Sequence, residues 1–226
     1  MSKIKMLVLD IDGTIFKKDY TASDRVKNTL QRLSDDGIKV VLCTGRMYAA
    51  TKCIAQELGL TTPVICYQGG LVKDFNNNDT TLLEDTMDVE LARDVINELK
   101  KRKLFFNLYI NDVLMVEEDH ELIRQYVDAR NISYKVVGNC DNIDLTGVNK
   151  ILAIDDNTTL IEDLQKELAK KYEGKLYVIR STPRFCEFSS PSATKGNAVR
   201  FLAEKWGINK EEIMALSLIH ISEPTR

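Results

Sequence analysis

The chain has 226 residues, of which 44% are hydrophobic and 29% charged, with a net charge of −3. That composition excludes an intrinsically disordered chain and leaves room for one large domain or two modest ones. No basic run stands beside aromatics, which argues against a nucleic-acid partner, and no apolar run reaches the length of a membrane span, so no membrane partner is expected.

The first third alternates strand and helix. Residues 5–10 (KMLVLD) read as a buried strand, and 23–36 as a helix with Val26, Leu30 and Leu33 on one face and Gly37 as its stop. Residues 38–43 (IKVVLC) predict a second strand, 47–58 a helix ended by Gly59, and 63–67 (PVICY) a third strand before Gly69-Gly70. This rhythm predicts a parallel sheet with helices on its faces. The polar stretch 75–81 (FNNNDTT) reads as a loop and a domain boundary. Asp88 is placed to cap a helix running to about Lys103, and two strands (104–110 and 112–118) join tightly at Asn111-Asp112. A helix (119–130), strands at 134–137 and 150–155, a helix (158–172) and the strands KLYVIRS and RFCEFS follow. That mixture predicts an inserted α+β unit. A helix over 194–206, stopped by Gly207, and a strand within EEIMALSLI return to the first pattern. The expected plan is an α/β, Rossmann-like core at 1–81 and 187–216, with an α+β insertion at 82–186.

Cys43, Cys53, Cys66, Cys140 and Cys186 form no C-x-x-C pair and are odd in number, so free thiols are expected. His120 and His220 are the only histidines, too few for a histidine-built metal site. An acid as early as Asp10 does not suit a signal peptide, and the expected location is cytoplasmic.

The chemistry concentrates at the first strand, which ends LVLDIDGTI. Asp10 and Asp12 share one side of a strand if it runs that far, and ligands of open parallel sheets bind at the carboxyl ends of the strands. Gly13 permits the sharp departure that follows. Taken alone, two acids at a strand end are as readily solvated surface groups. An aspartic protease needs D-T-G or D-S-G rather than D-G-T, and an EF-hand loop needs more oxygens and a late Glu. Thr44-Gly45-Arg46 ends the second strand before a helix, which suits an anionic oxygen or, equally, an ordinary helix cap. Lys195, at the start of the helix 194–206, is either a solvated lysine or a charge set to neutralise phosphate. Together these residues form a phosphoryl-transfer set, in which one acid attacks, the other moves a proton, and hydroxyl and ammonium hold oxygens. Two anions facing a phosphate imply a divalent ion, and Mg²⁺ prefers such oxygen ligands.

D-x-D-G-T, then Thr-Gly-Arg, then Lys-Gly after a long insertion resembles the haloacid dehalogenase superfamily of phosphohydrolases, and the insertion resembles that of its Cof-type, class IIB branch. The resemblance implies Asp10 as the nucleophile that forms an aspartyl-phosphate, and Asp12 as general acid and then base. It implies Thr44, Gly45 and Lys195 as the phosphate-holding group, and Mg²⁺ held by Asp10 and the Asp12 backbone carbonyl. Arg46, Gln68 and Gly69 fall on the substrate and cap side, and the insertion would be a cap that closes over a small phosphorylated metabolite. Gln68-Gly69-Gly70 stands where the family usually has Asn-Gly-Ala. After Leu216 the family needs Gly-Asp-x-x-Asn-Asp, and this chain reads Ser217-Leu218-Ile219-His220, with Glu223 as the one acid left. SLIHISEPTR (217–226) resembles translated adapter sequence, so a non-native tail is expected, with the third Mg²⁺ ligand missing and less activity and stability than a longer parent. Two other readings stay open: a non-catalytic phosphometabolite binder and a phosphomannomutase-like phosphotransferase.

Overall fold

A computed structural model describes residues 3–16, 21–128 and 132–217. The tail expected to be non-native, with His220 and Glu223, lies outside the described residues apart from Ser217. In chain order the first elements are β1 (Met6–Leu9), α1 (Asp24–Asp35), β2 (Lys39–Leu42), α2 (Tyr48–Glu57), β3 (Val64–Cys66), β4 (Leu71–Asp74) and β5 (Thr80–Glu84). Then come α3 (Val89–Lys101), β6 (Phe105–Ile110), β7 (Val113–Val116), α4 (Glu121–Asp128), β8 (Lys135–Val136), β9 (Val148–Ile154), α5 (Thr158–Lys171), β10 (Tyr177–Thr182) and β11 (Phe185–Ser189). The last are α6 (Lys195–Trp206) and β12 (Ile213–Leu216). Two units result: residues 1–84 with 194–226, and residues 85–193.

In the first unit β12, β1 and β2 form a parallel sheet, with Met6 opposite both Ile213 and Lys39. All four β1 residues are buried, as a parallel strand covered on both faces requires. Val8, Val41 and Ile65 pack with Ala198 and Leu202 of α6. β3 meets β2 through a bridge between Cys43 and Ile65, then pairs antiparallel with β4, which pairs with β5. The stretch 75–81, expected as a boundary loop, is instead the tip of the β4–β5 hairpin. Asn78 and Asp79 take φ of 52° and 53°, a left-handed backbone that these side chains tolerate.

In the second unit six strands run in the order β10-β11-β9-β6-β7-β8, antiparallel except for β7–β8. β11 pairs along β9, which is why the structural division falls at 193/194 rather than at 186. Asn111 and Asp112 close the β6–β7 turn with φ of 50° and 60°. Apolar residues of α3 (Val95, Ile96, Leu99) and α5 (Ile161, Leu164, Leu168) pack on the Phe106, Leu108 and Ile151 side of the sheet.

Glu117 ties this unit's loops together, accepting from the Cys140 N–H at 2.8 Å and from Lys100 Nζ at 2.7 Å. Burial pushes its carboxyl up, but those two donors outweigh it and hold the group below 4.5. A depressed carboxyl contributes stability above its unfolded pKa and loses it as pH falls through the folded value. Urea melts between pH 6 and 3 are expected to show a decline below about 4.5 that is shallower in Glu117→Gln. An unchanged slope in the variant would remove Glu117 from the acid transition.

Candidate active site

Asp10 and Asp12 follow β1, Thr44 to Arg46 follow β2, Gln68 and Gly69 follow β3, and Lys195 opens α6. β1 stops at Leu9, yet the Asp10 N–H still donates to the Leu216 carbonyl at 3.0 Å, so Asp10 is fixed by the β12 ladder. Its carboxylate is buried, with a side chain only 6% exposed. Lys195 Nζ donates to Asp10 Oδ1 at 2.9 Å, and Ser217 Oγ donates to Oδ2 at 3.4 Å. Lys195 holds that position as the first residue of α6. Thr194 caps the helix, its Oγ1 accepting from the Asn197 N–H at 3.2 Å.

Strand alternation does not carry through to Asp12. Ile11 opens a turn whose carbonyl accepts from the N–H groups of Thr14, Ile15 and Phe16, and Gly13 follows at φ 75°. The Asp12 carboxylate is half-exposed and lies in the fork of Arg46, with Nε to Oδ2 at 2.9 Å and Nη2 to Oδ1 at 2.5 Å. The Arg46 guanidinium stands 5.7 Å from the centre of the Phe16 ring.

Thr44 does not cap α2, whose N-cap is Met47. It is buried, and its Oγ1 accepts from the Arg46 N–H at 3.2 Å. Its N–H donates to the Ile65 carbonyl, and its own carbonyl accepts from the Gln68 N–H at 3.1 Å. Tyr67 and Gln68 both take left-handed backbone (φ 50° and 58°), and the Tyr67 N–H donates to the Arg46 carbonyl. The loops after β2 and β3 are thereby laced together. The Gln68 amide lies over Gly45: a Cβ there would stand 2.4 Å from Gln68 Nε2 and push that amide aside. Gly69, at φ 113°, lets the β3 loop touch the start of α6, where a Cβ would fall 2.9 Å from the Lys195 backbone nitrogen.

Asp10 therefore meets Lys195, Asp12 meets Arg46, and Thr44, Gly45, Gln68 and Gly69 build the frame between the two cations. Arg46, placed by resemblance on the substrate side, has its guanidinium against Asp12. Sequence reasoning passed over Phe16, and read Ser217 only as the start of the expected non-native tail. Ser217 had a signal, since it directly follows the strand that pairs with β1. Cys43 is no nucleophile: burial pushes its thiol up to about 12, with Lys195 pulling down and Asp10 pushing up.

The two carboxylates are matched by one ammonium and one guanidinium, so an arriving phosphate dianion brings charge that these groups leave unbalanced. The oxygens on hand, the Asp10 carboxylate and the Asp12 carbonyl, are hard donors that suit Mg²⁺, which keeps waters and uses one or two carboxylates plus substrate phosphate. Among the described residues no cluster of three or more His, Cys, Asp or Glu forms a closed metal cage.

A family model described as haloacid dehalogenase-like hydrolase matches residues 7–216. YxeH of Bacillus subtilis (strain 168) is 30% identical over 223 residues, covering 94% of this chain and 80% of that protein. The 5-amino-6-(5-phospho-D-ribitylamino)uracil phosphatase YwtE of the same organism is 24% identical over 94% of this chain and 81% of its own length. Among solved structures, TM0651 from Thermotoga maritima matches with a TM-score of 0.80 at 29% identity, covering 94% of this chain and 79% of that one. A haloacid dehalogenase-like hydrolase from Bacteroides thetaiotaomicron matches with a TM-score of 0.84 at 24% identity, covering 95% and 82%.

Proposed function

The chain belongs to the haloacid dehalogenase-like hydrolase family, and from that premise we propose that it is a phosphatase of small phosphate monoesters working through an aspartyl-phosphate on Asp10. The observation that carries the reading is the buried Asp10 carboxylate at the end of β1, with Lys195 Nζ 2.9 Å away. An acid kept out of water and oriented by a fixed ammonium is a nucleophile in place, and the same ammonium offsets charge on a phosphoryl group that Asp10 attacks. Asp12 gives its proton to the departing alcohol oxygen and then takes one from the hydrolytic water. The Thr44 hydroxyl and the Lys195 ammonium hold phosphate oxygens, and the 85–193 unit serves as the cap.

The Asp10 carboxylate and the Asp12 carbonyl would hold Mg²⁺. When bound, the ion supplies positive charge that lets a carboxylate approach a phosphate. None of the five cysteines forms a disulfide and four are buried, which supports a cytoplasmic protein. Among the described residues no helix is long and apolar enough to cross a membrane.

The test is phosphate release from sugar phosphates, nucleotides, pyridoxal phosphate, FMN and the ribitylaminouracil phosphate for which YwtE is named. Turnover of at least one ester is expected with Mg²⁺ present, falling to background when EDTA is in excess. Binding without release by the whole panel would replace the phosphatase with a phosphometabolite binder. Undiminished turnover in EDTA would remove the metal.

A further inference from the structure

We infer that Arg46 is the positioning residue for Asp12, setting the proton-transfer geometry rather than binding substrate; this rests on the phosphatase reading above. Three observations meet on its guanidinium. It makes two parallel bonds to the Asp12 carboxylate, at 2.9 and 2.5 Å. Its side chain is 9% exposed against 47% for Asp12, so the cation is the fixed partner and the acid the solvent-facing one. It is held from both sides, by the Phe16 ring face at 5.7 Å and by a backbone locked through the Thr44 Oγ1 and Tyr67 N–H bonds.

A fork of this kind fixes the plane of a carboxylate and leaves each oxygen a further lone pair for a proton. In the first step a bond forms between an Asp10 oxygen and phosphorus while the phosphorus–ester oxygen bond breaks. The bonding pair leaves on the ester oxygen, which takes the Asp12 proton and departs as the alcohol. Asp12 is left as a carboxylate facing the Arg46 fork. In the second step water attacks the phosphorus, its proton passes to Asp12, and the Asp10–phosphorus bond breaks. Lysine cannot reproduce the fork, because its ammonium is a point charge on a flexible stem.

The leaving group supplies the test. A poor leaving alcohol needs the Asp12 proton as its bond breaks, whereas a good one such as p-nitrophenol leaves without it. The probes are alkyl and aryl phosphates of graded leaving-group basicity. The readout is kcat/KM, which covers the steps through transfer to Asp10. In Arg46→Lys, kcat/KM for alkyl phosphates is expected to fall about 10- to 100-fold. For p-nitrophenyl phosphate it should stay within about threefold, giving a steeper dependence on leaving-group basicity. Inhibition by inorganic phosphate should not change, and Arg46→Gln should behave like Arg46→Lys. A partly unfolded variant loses every ester in proportion, so the ratio between esters reports positioning alone. An equal loss on all esters, or weakened phosphate inhibition, would make Arg46 a scaffold or substrate contact and overturn the inference while sparing the phosphatase reading. Absence of hydrolysis by the parental chain would overturn both.

Discussion

Asp10→Asn is expected to lower phosphate release by at least about 10³-fold, into the background of the assay, while the chain stays folded. The substitution keeps the side chain's shape in a site where it is only 6% exposed, and exchanges the attacking carboxylate for an amide. The amide oxygen can still accept from Lys195, and the amide N–H groups face the Ser217 hydroxyl. The loss of charge strands a lysine, but Lys195 is 21% exposed, so water shares its ammonium and the cost is modest, roughly 1–2 kcal/mol. Activity and stability thus move by very different amounts. Phosphate release and a thermal melt on the same sample separate a lost nucleophile from a lost fold. Labelled phosphate trapped on the acid-quenched parent and absent from the variant would place the covalent step on this residue. Release by Asp10→Asn as fast as by the parent would end the aspartyl-phosphate reading.

Asp10 and Lys195 were legible because each breaks a local rule. An acid ends an apolar strand, and a lysine opens a helix, where the dipole disfavours cations. Both violations have the same cause, since each charge is placed for the other across 185 positions. Asp12 was legible as a residue but not as a geometry. Its expected place on a continuing strand failed at Ile11, where one carbonyl collects three N–H donors and turns the chain. Its partnership with Arg46 depends on how the β1 and β2 loops face each other, which no local pattern records. The β4–β5 hairpin was hidden for another reason. FNNNDTT has a linker's composition, and only the left-handed backbone at Asn78 and Asp79 makes it a turn.

Gly69→Ala is expected to be the most damaging single-methyl change in the first unit. Two penalties fall on that methyl. At φ 113° the backbone lies where side chains are strained, worth roughly 1–3 kcal/mol. The new Cβ would also lie 2.2 Å from the Thr194 carbonyl oxygen and 2.4 Å from its carbon. Those are backbone atoms at the α6 cap, and the same oxygen accepts the helix's opening bond from the Ala198 N–H. Nothing there can rotate away, so either the β3 loop or the start of α6 must move. Overpacking of this kind costs roughly another 1–3 kcal/mol, a large share of the ~5–15 kcal/mol that holds a typical domain. A urea midpoint lowered without a change in slope is expected, with Tm down by roughly 10 °C. Gly37→Ala is the matched control: φ is 82°, and nothing lies within 4 Å of the added Cβ, so it carries strain without the clash. If both variants lost the same stability, the contact between Gly69 and Thr194 would be compliant rather than rigid. If Gly69→Ala loses more, the displacement also reaches chemistry, because the residue after Thr194 is Lys195 and the loop before Gly69 is bonded to Thr44 and Arg46. Phosphate release by Gly69→Ala, measured well below its melting temperature, should then fall further than the folded fraction accounts for.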